Sequence, residues 1–207
     1  MEDRTAKADT TAPEQPGFLR RWMVGLRPDP KSSDPRKLGK WGGIITGAYL
    51  LIAAGVGVYW SNTPEHFDVR ESAARYAAAT EQDVVTGTTT VTALQETVRI
   101  LLEKPGGYLH NDLFPPGVWL DNMPNWEYGV LVQSRDLARA LREVLSRSQS
   151  QSKEDVDLTL AEPRINFQSK SWILPASESE YRDALRFLEA YRARLAVTGQ
   201  NSAQFYA

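Results

Sequence analysis

The chain has 207 residues, room for one modest domain with its linking segments. It contains no cysteine, which excludes disulfides, thiolate metal sites and cysteine nucleophiles, and a formal net charge of -2 argues against nucleic acid as a partner. A mean hydropathy of -0.42 requires any membrane segment to be concentrated in one place.

Residues 1 to 16 are polar and proline-bearing, with nothing to bury, and are expected to be disordered. Gly17 to Leu26 mixes Phe18, Leu19, Trp22, Met23 and Leu26 with Arg20 and Arg21, as a membrane-surface segment would. Pro28, Pro30 and Pro35 keep a helix there from running on into the apolar stretch.

From Trp41 to Trp60 no residue is charged, and aromatic residues stand at both ends. Twenty residues at about 1.5 Å each span about 30 Å, the thickness of a bilayer's hydrocarbon core. Lys31, Arg36, Lys37 and Lys40 precede this stretch, whereas Glu65, Asp68 and Glu71 come after it. Positive charge stays inside, so the reading is a cytoplasmic tail (1–40), a transmembrane helix (41–60) and a domain on the far side (61–207). A cleaved leader is disfavoured by the long segment ahead of the apolar core. Gly43, Gly47 and Ala54 share one face, a packing surface for self-association or a partner helix; Ala53 and Gly57 form a second small-residue pair. The plainer reading is that glycine is common in spanning helices.

Beyond the span, Thr63 before Pro64 and Glu65 predicts a helix to Thr80, with Val69, Ala73, Tyr76 and Thr80 on one face. The next helix carries Val91, Leu94, Val98, Leu101 and Leu102, and Pro105-Gly106-Gly107 stops it. A third, from about Trp126 to Ser146, buries Leu131, Ala138, Leu141 and Leu145, widened by Leu137 and Val144. Its Arg135, Arg139, Arg142 and Arg147 read as a solvated face.

Ser146 to Lys153 is a polar low-complexity loop. Val156, Leu158 and Leu160 alternate with polar residues like a short strand, while Ser152 before Glu154 and Asp155 reads as a helix start; periodicity leaves both open. After the apolar anchor Trp172 to Pro175, Ser177 caps a last helix with Tyr181, Leu185, Leu188 and Leu195 on its stripe. The fold class is therefore mainly α: a transmembrane helix followed by a four-helix bundle with a long irregular loop.

That loop, Lys104 to Tyr128, gathers five aromatic residues and four prolines, which argues for order. Tyr108, Trp119, Asp121, Asn122 and Trp126 are candidates for a face that stacks on sugars or grips a protein. Asp112, Asp121 and Glu127 are the carboxylates a glycan hydrolase would use. The third reading is a plug over the end of the bundle. His110-Asn111-Asp112 lacks further clustered ligands, so no metal is expected. The usual phosphate-, dinucleotide- and nucleophile-binding signatures are absent, so no cofactor is expected.

The run GGYLHNDLFPPGVWLDNMPNWEYGVLVQSRDLARALR (Gly106 to Arg142), with the later SWILPASESEYRDAL, resembles domain-of-unknown-function family 2333, an uncharacterised proteobacterial membrane-protein family. The resemblance implies a bacterial inner-membrane protein whose bulk is periplasmic, and it carries no catalytic residues. Family members tend to continue past Gln204 to Ala207, which implies a C-terminally truncated chain. The partners expected are the lipid bilayer and an envelope protein or a second copy. The function expected is non-enzymatic, with peptidoglycan or glycan binding or hydrolysis as the alternative.

Overall fold

The computed structural model describes residues 35–147, 153–199 and 201–206. The tail to residue 34, including the segment from Gly17 to Leu26, lies outside the described residues, as does most of the polar loop after Arg147. The described helices are α1 (Pro35–Trp60), α2 (Val69–Thr80), α3 (Thr88–Glu103), α4 (Asn122–Ala140), α5 (Val156–Ile165) and α6 (Ser177–Leu195). No strand occurs among the described residues. The chain divides into two compact units, one ending at Tyr49 and the other beginning at Leu50.

The helical periodicity of α3 is realised in full. Val91, Leu94, Val98 and Leu101 are all buried, and they join Leu131, Leu141, Leu158, Ile165, Tyr181, Leu188 and Tyr191 in one core. Helix α6 packs on both α5 and α3, and α4 closes against α3 and α5. Apolar burial of this kind supplies the main driving force, about 25 cal/mol per Å². The segment after α6 seals one end: Phe205 lies over Gly87, and Tyr191 Oη donates to the Gln204 carbonyl at 2.6 Å. Gly87 has φ of 96°, and a Cβ there would stand 2.5 Å from the Phe205 ring, so only glycine fits.

Several boundaries differ from the sequence reading. Helix α2 begins at Val69 rather than beside Pro64, because Asp68 accepts from the Glu71 amide and provides the cap. On its predicted face Ala73 is buried, and Ala77 rather than Thr80 completes the contact. Helix α4 starts at Asn122, since Pro124 falls in the first turn, where amides have no intrahelical partner to lose. Leu141 to Leu145 is a π-turn, in which the Ser146 amide reaches back to the Leu141 carbonyl. The extra residue shifts the helical phase. Val144, expected to widen the stripe, therefore stands 64% exposed.

The strand-like alternation at Val156 to Leu160 is helical, because Asp155 accepts from the Asp157 and Leu158 amides and nucleates the first turn. Two arginines assigned to the solvated face are structural. Arg135 donates to the Ile165 and Phe167 carbonyls at the end of α5, and Arg142 pairs with Glu162 at 3.0 Å. Ser177 is the first residue of α6 rather than its cap, and its hydroxyl bonds the Gln168 and Ser171 carbonyls. The expected Trp172–Pro175 anchor is an exposed loop, with Leu174 93% exposed.

Asp155 also pairs with Arg194 at 2.6 Å, tying α5 to α6. Asp155→Ala should cost about 1–2 kcal/mol, chiefly through loss of the cap. Asp155→Asn, which keeps the cap and removes the charge, should cost less. Urea denaturation of the two variants measures the difference.

Candidate functional site

The loop from Lys104 to Tyr128 is organised by one buried ion pair. Lys104 terminates α3, and Glu127 lies on the second turn of α4; their side chains are 1% and 0% exposed. Lys104 Nζ donates to a Glu127 carboxylate oxygen and to the Gly107 carbonyl. Glu127 also accepts from the Leu109 amide at 3.0 Å and the His110 amide at 2.7 Å. Burial pushes its carboxyl above the usual range, against the pull of Lys104 and of these amides. The carboxylate's acceptor capacity is consumed in closing the loop.

The adjoining residues extend this framework. Tyr108 is buried, edge-on to Tyr181 with centroids 5.5 Å apart, and its hydroxyl donates to the Ser169 carbonyl. His110 donates from Nδ1 to the Pro124 carbonyl and stacks on Tyr128. Burial lowers its tendency to protonate, with Lys170 and Arg135 adding in the same direction and the Pro124 carbonyl opposing. Asn111 Nδ2 bonds the Ser171 carbonyl and Glu178, joining this loop to the one ahead of α6. The Asp112 side chain covers Gly117, where a Cβ would stand 2.0 Å from its Oδ2. Burial and the nearby Glu178 raise the Asp112 carboxyl.

The five candidate binding residues therefore separate. Tyr108 belongs to the core, whereas Trp119, Asp121, Asn122 and Trp126 remain on the surface. Asp121 accepts from Asn125 at 2.8 Å. The three carboxylates considered for hydrolysis occupy three different settings: Glu127 is neutralised in the interior, Asp121 lies on the surface, and Asp112 is half-buried.

The small residues of α1 also divide. A Cβ on Gly43 or Gly47 would meet nothing within 4 Å, and Ala54 is exposed. The second pair, Ala53 and Gly57, is the buried one: a Gly57 Cβ would be 3.5 Å from Pro116 and 3.8 Å from Leu120. Trp60, the last residue of α1, lies over Gly106, whose φ of 87° and 2.8 Å clearance from the indole admit no side chain. Sequence reading named both the small-residue pair and the loop. It had no signal that one packs on the other.

The outer side of this region is apolar. Leu113, Phe114, Val118 and Trp119 are more than half exposed, and Phe114 touches Trp172 edge-on at 5.8 Å. A groove of about 480 Å³ lies here, its wall mostly apolar (Ala53, Gly57, Val58, Pro116, Trp119 and Leu120 among others) with the polar Ser61 and Asn62 at the end of the helix.

These features define a helical domain continuous with an apolar helix long enough to cross a membrane. The chain belongs to the bacterial family described as "Uncharacterized protein conserved in bacteria (DUF2333)", whose model matches residues 35–207, as the resemblance anticipated. No curated protein and no solved structure matches it.

Lys104→Met should destabilise the domain by about 3–5 kcal/mol, because it strands a buried carboxyl group. Lys104→Met with Glu127→Leu should recover part of that loss in chemical denaturation. His110 predicts a pH dependence. Unfolded, it protonates near its ordinary value of 6.5; folded, it does so only at lower pH. Between those values the unfolded chain holds more protons, so stability falls as pH drops below about 6.5. Asp112 and Glu127, raised by burial, act with the opposite sign. The difference between the parent chain and His110→Gln should therefore diminish as pH is lowered through the histidine range, read from denaturation midpoints at each pH.

Proposed function

We propose that this is a single-pass protein of the bacterial inner membrane, with a cytoplasmic N-terminus and a periplasmic helical domain that acts as a non-enzymatic interaction module. The observation that carries the reading is the state of α1. Its Ile44, Ile45, Leu51, Ile52 and Val58 side chains are between 61% and 77% exposed, an apolar surface that water would not tolerate and hydrocarbon would. A soluble core helix would bury them. The basic residues before the span and the acidic ones after it set the orientation.

The site supports interaction rather than turnover. Its innermost carboxylate is spent on an ion pair, while its outward side presents rigid aromatic and apolar groups around Trp119. Rings held by a fixed framework lose little entropy on contact, which suits binding.

The absence of cysteine permits a direct test of topology. Single cysteines at Ser32→Cys and Ala190→Cys are treated with a membrane-impermeant maleimide in spheroplasts. Ala190→Cys should be labelled at once, and Ser32→Cys only after lysis. The reverse pattern would overturn the orientation. A shortened, soluble Ala190→Cys product would show that α1 is removed as a leader.

A further inference from the structure

We infer that the partner of the Trp119 face is the bilayer itself: the loops Leu113–Leu120 and Trp172–Leu174 seat in the outer leaflet beside α1, fixing the domain against the membrane. This rests on the anchored reading of α1. It adds that the domain is docked on the lipid rather than suspended above it.

Depth supports this first. Lys40 ends the charged segment on one side, and the next charged residue after it is Glu65. A hydrocarbon core of about 30 Å needs about twenty helical residues, so hydrocarbon entered at Trp41 extends to about Trp60. Gly57 and Ala53 lie roughly 5 and 10 Å short of that end. The side chains of Pro116 and Leu120 are the ones that approach Gly57. A loop packed there is at the level of the outer acyl chains.

The loop's chemistry matches that depth. No residue from Leu113 to Leu120, or from Ser171 to Ser177, carries a charge. Internal hydrogen bonds lower the cost of placing backbone amides near lipid, and three amides of the first loop make them. Pro115 and Pro116 have no N–H. Val118, Trp119 and Leu120 donate to the Phe114, Pro116 and Gly117 carbonyls at 3.0 to 3.1 Å. Ser171 Oγ donates to the Pro175 carbonyl at 2.7 Å.

The two loops form one surface. Phe114 and Trp172 touch edge-on, and Asn111 bonds the Ser171 carbonyl behind them. Ile173 and Leu174, 67% and 93% exposed, stand at its outer rim, and exposed Lys170 precedes them, suited to a lipid phosphate.

The test uses the full chain reconstituted in vesicles of phosphatidylethanolamine and phosphatidylglycerol. A nitrobenzoxadiazole probe is placed on single cysteines at Val118, Ile173, Leu51 or Ala190. Leu51 lies about 14 Å before Trp60 along the helix and reports the span. The exposed sites Val118 and Ile173 tolerate replacement without loss of core contacts. Probes there, seated about 5–10 Å into the headgroup and acyl boundary, should emit to the blue and lose emission to lipids spin-labelled near the headgroup. The Leu51 probe should respond to lipids labelled deep in the chain, and the Ala190 probe to neither.

If Leu51 is quenched while Val118 and Ile173 emit as in water, the anchor stands and the docking proposal is overturned. Blue-shifted but unquenched probes at Val118 and Ile173 would overturn it in favour of a protein contact, including a second copy. A Leu51 probe that behaves as in water would remove the anchored reading and the docking with it.

Discussion

The irregular half of the domain depends on the Lys104–Glu127 pair. The eighteen residues between α3 and α4, regular only in the single 3-10 turn Gly117–Trp119, have no extended ladder to hold them. The pair supplies a substitute, fastening the end of α3 to the second turn of α4. Through Glu127 it also anchors the Leu109 and His110 amides, and through Lys104 the Gly107 carbonyl. Such an arrangement is costly to desolvate and becomes worthwhile when every polar atom is satisfied. With the inner side of the loop closed in this way around Tyr108 and Leu109, the side chains of Leu113, Phe114, Val118 and Trp119 are left facing outward.

A second constraint acts at the end of α1. Trp60 lies over Gly106, and Gly57 approaches Pro116 and Leu120, so the helix enters the domain through packed contacts rather than a free linker. Gly106 requires glycine for its positive φ, whereas at Gly57 a Cβ would come only into ordinary van der Waals contact with Pro116 and Leu120. The same glycine pattern in the first half of α1, Gly43 and Gly47, has open space around it. Small-residue pairs thus take two roles within one helix, decided by what lies beside them.

The loop region that was the leading candidate site was legible as a region but not as a surface. Its aromatic and acidic residues could be named, yet Tyr108 and Glu127 went to the core while Trp119 and Trp126 stayed outside. Residues in an irregular segment have no period from which to infer direction. The Trp172–Pro175 stretch illustrates the converse. Its apolar composition suggests burial, and its position in a loop leaves it exposed.

The sequence by itself determined the apolar helix, the core stripes of α3 and α6, the stop at Pro105 and the family, because periodicity and composition are local properties that the chain carries unaided. Tertiary structure decided the start of α2, the phase slip that turned Val144 outward, the helical state of Val156 to Ile165 and the division of the loop into core and surface. Each of these depends on which competing cap, ion pair or neighbouring helix prevails. The caps Asp68 and Asp155 are close in sequence but are selected from several candidates, whereas the partners that divide the loop come from distant parts of the chain, as Glu127 does for Lys104 and Pro116 does for Gly57.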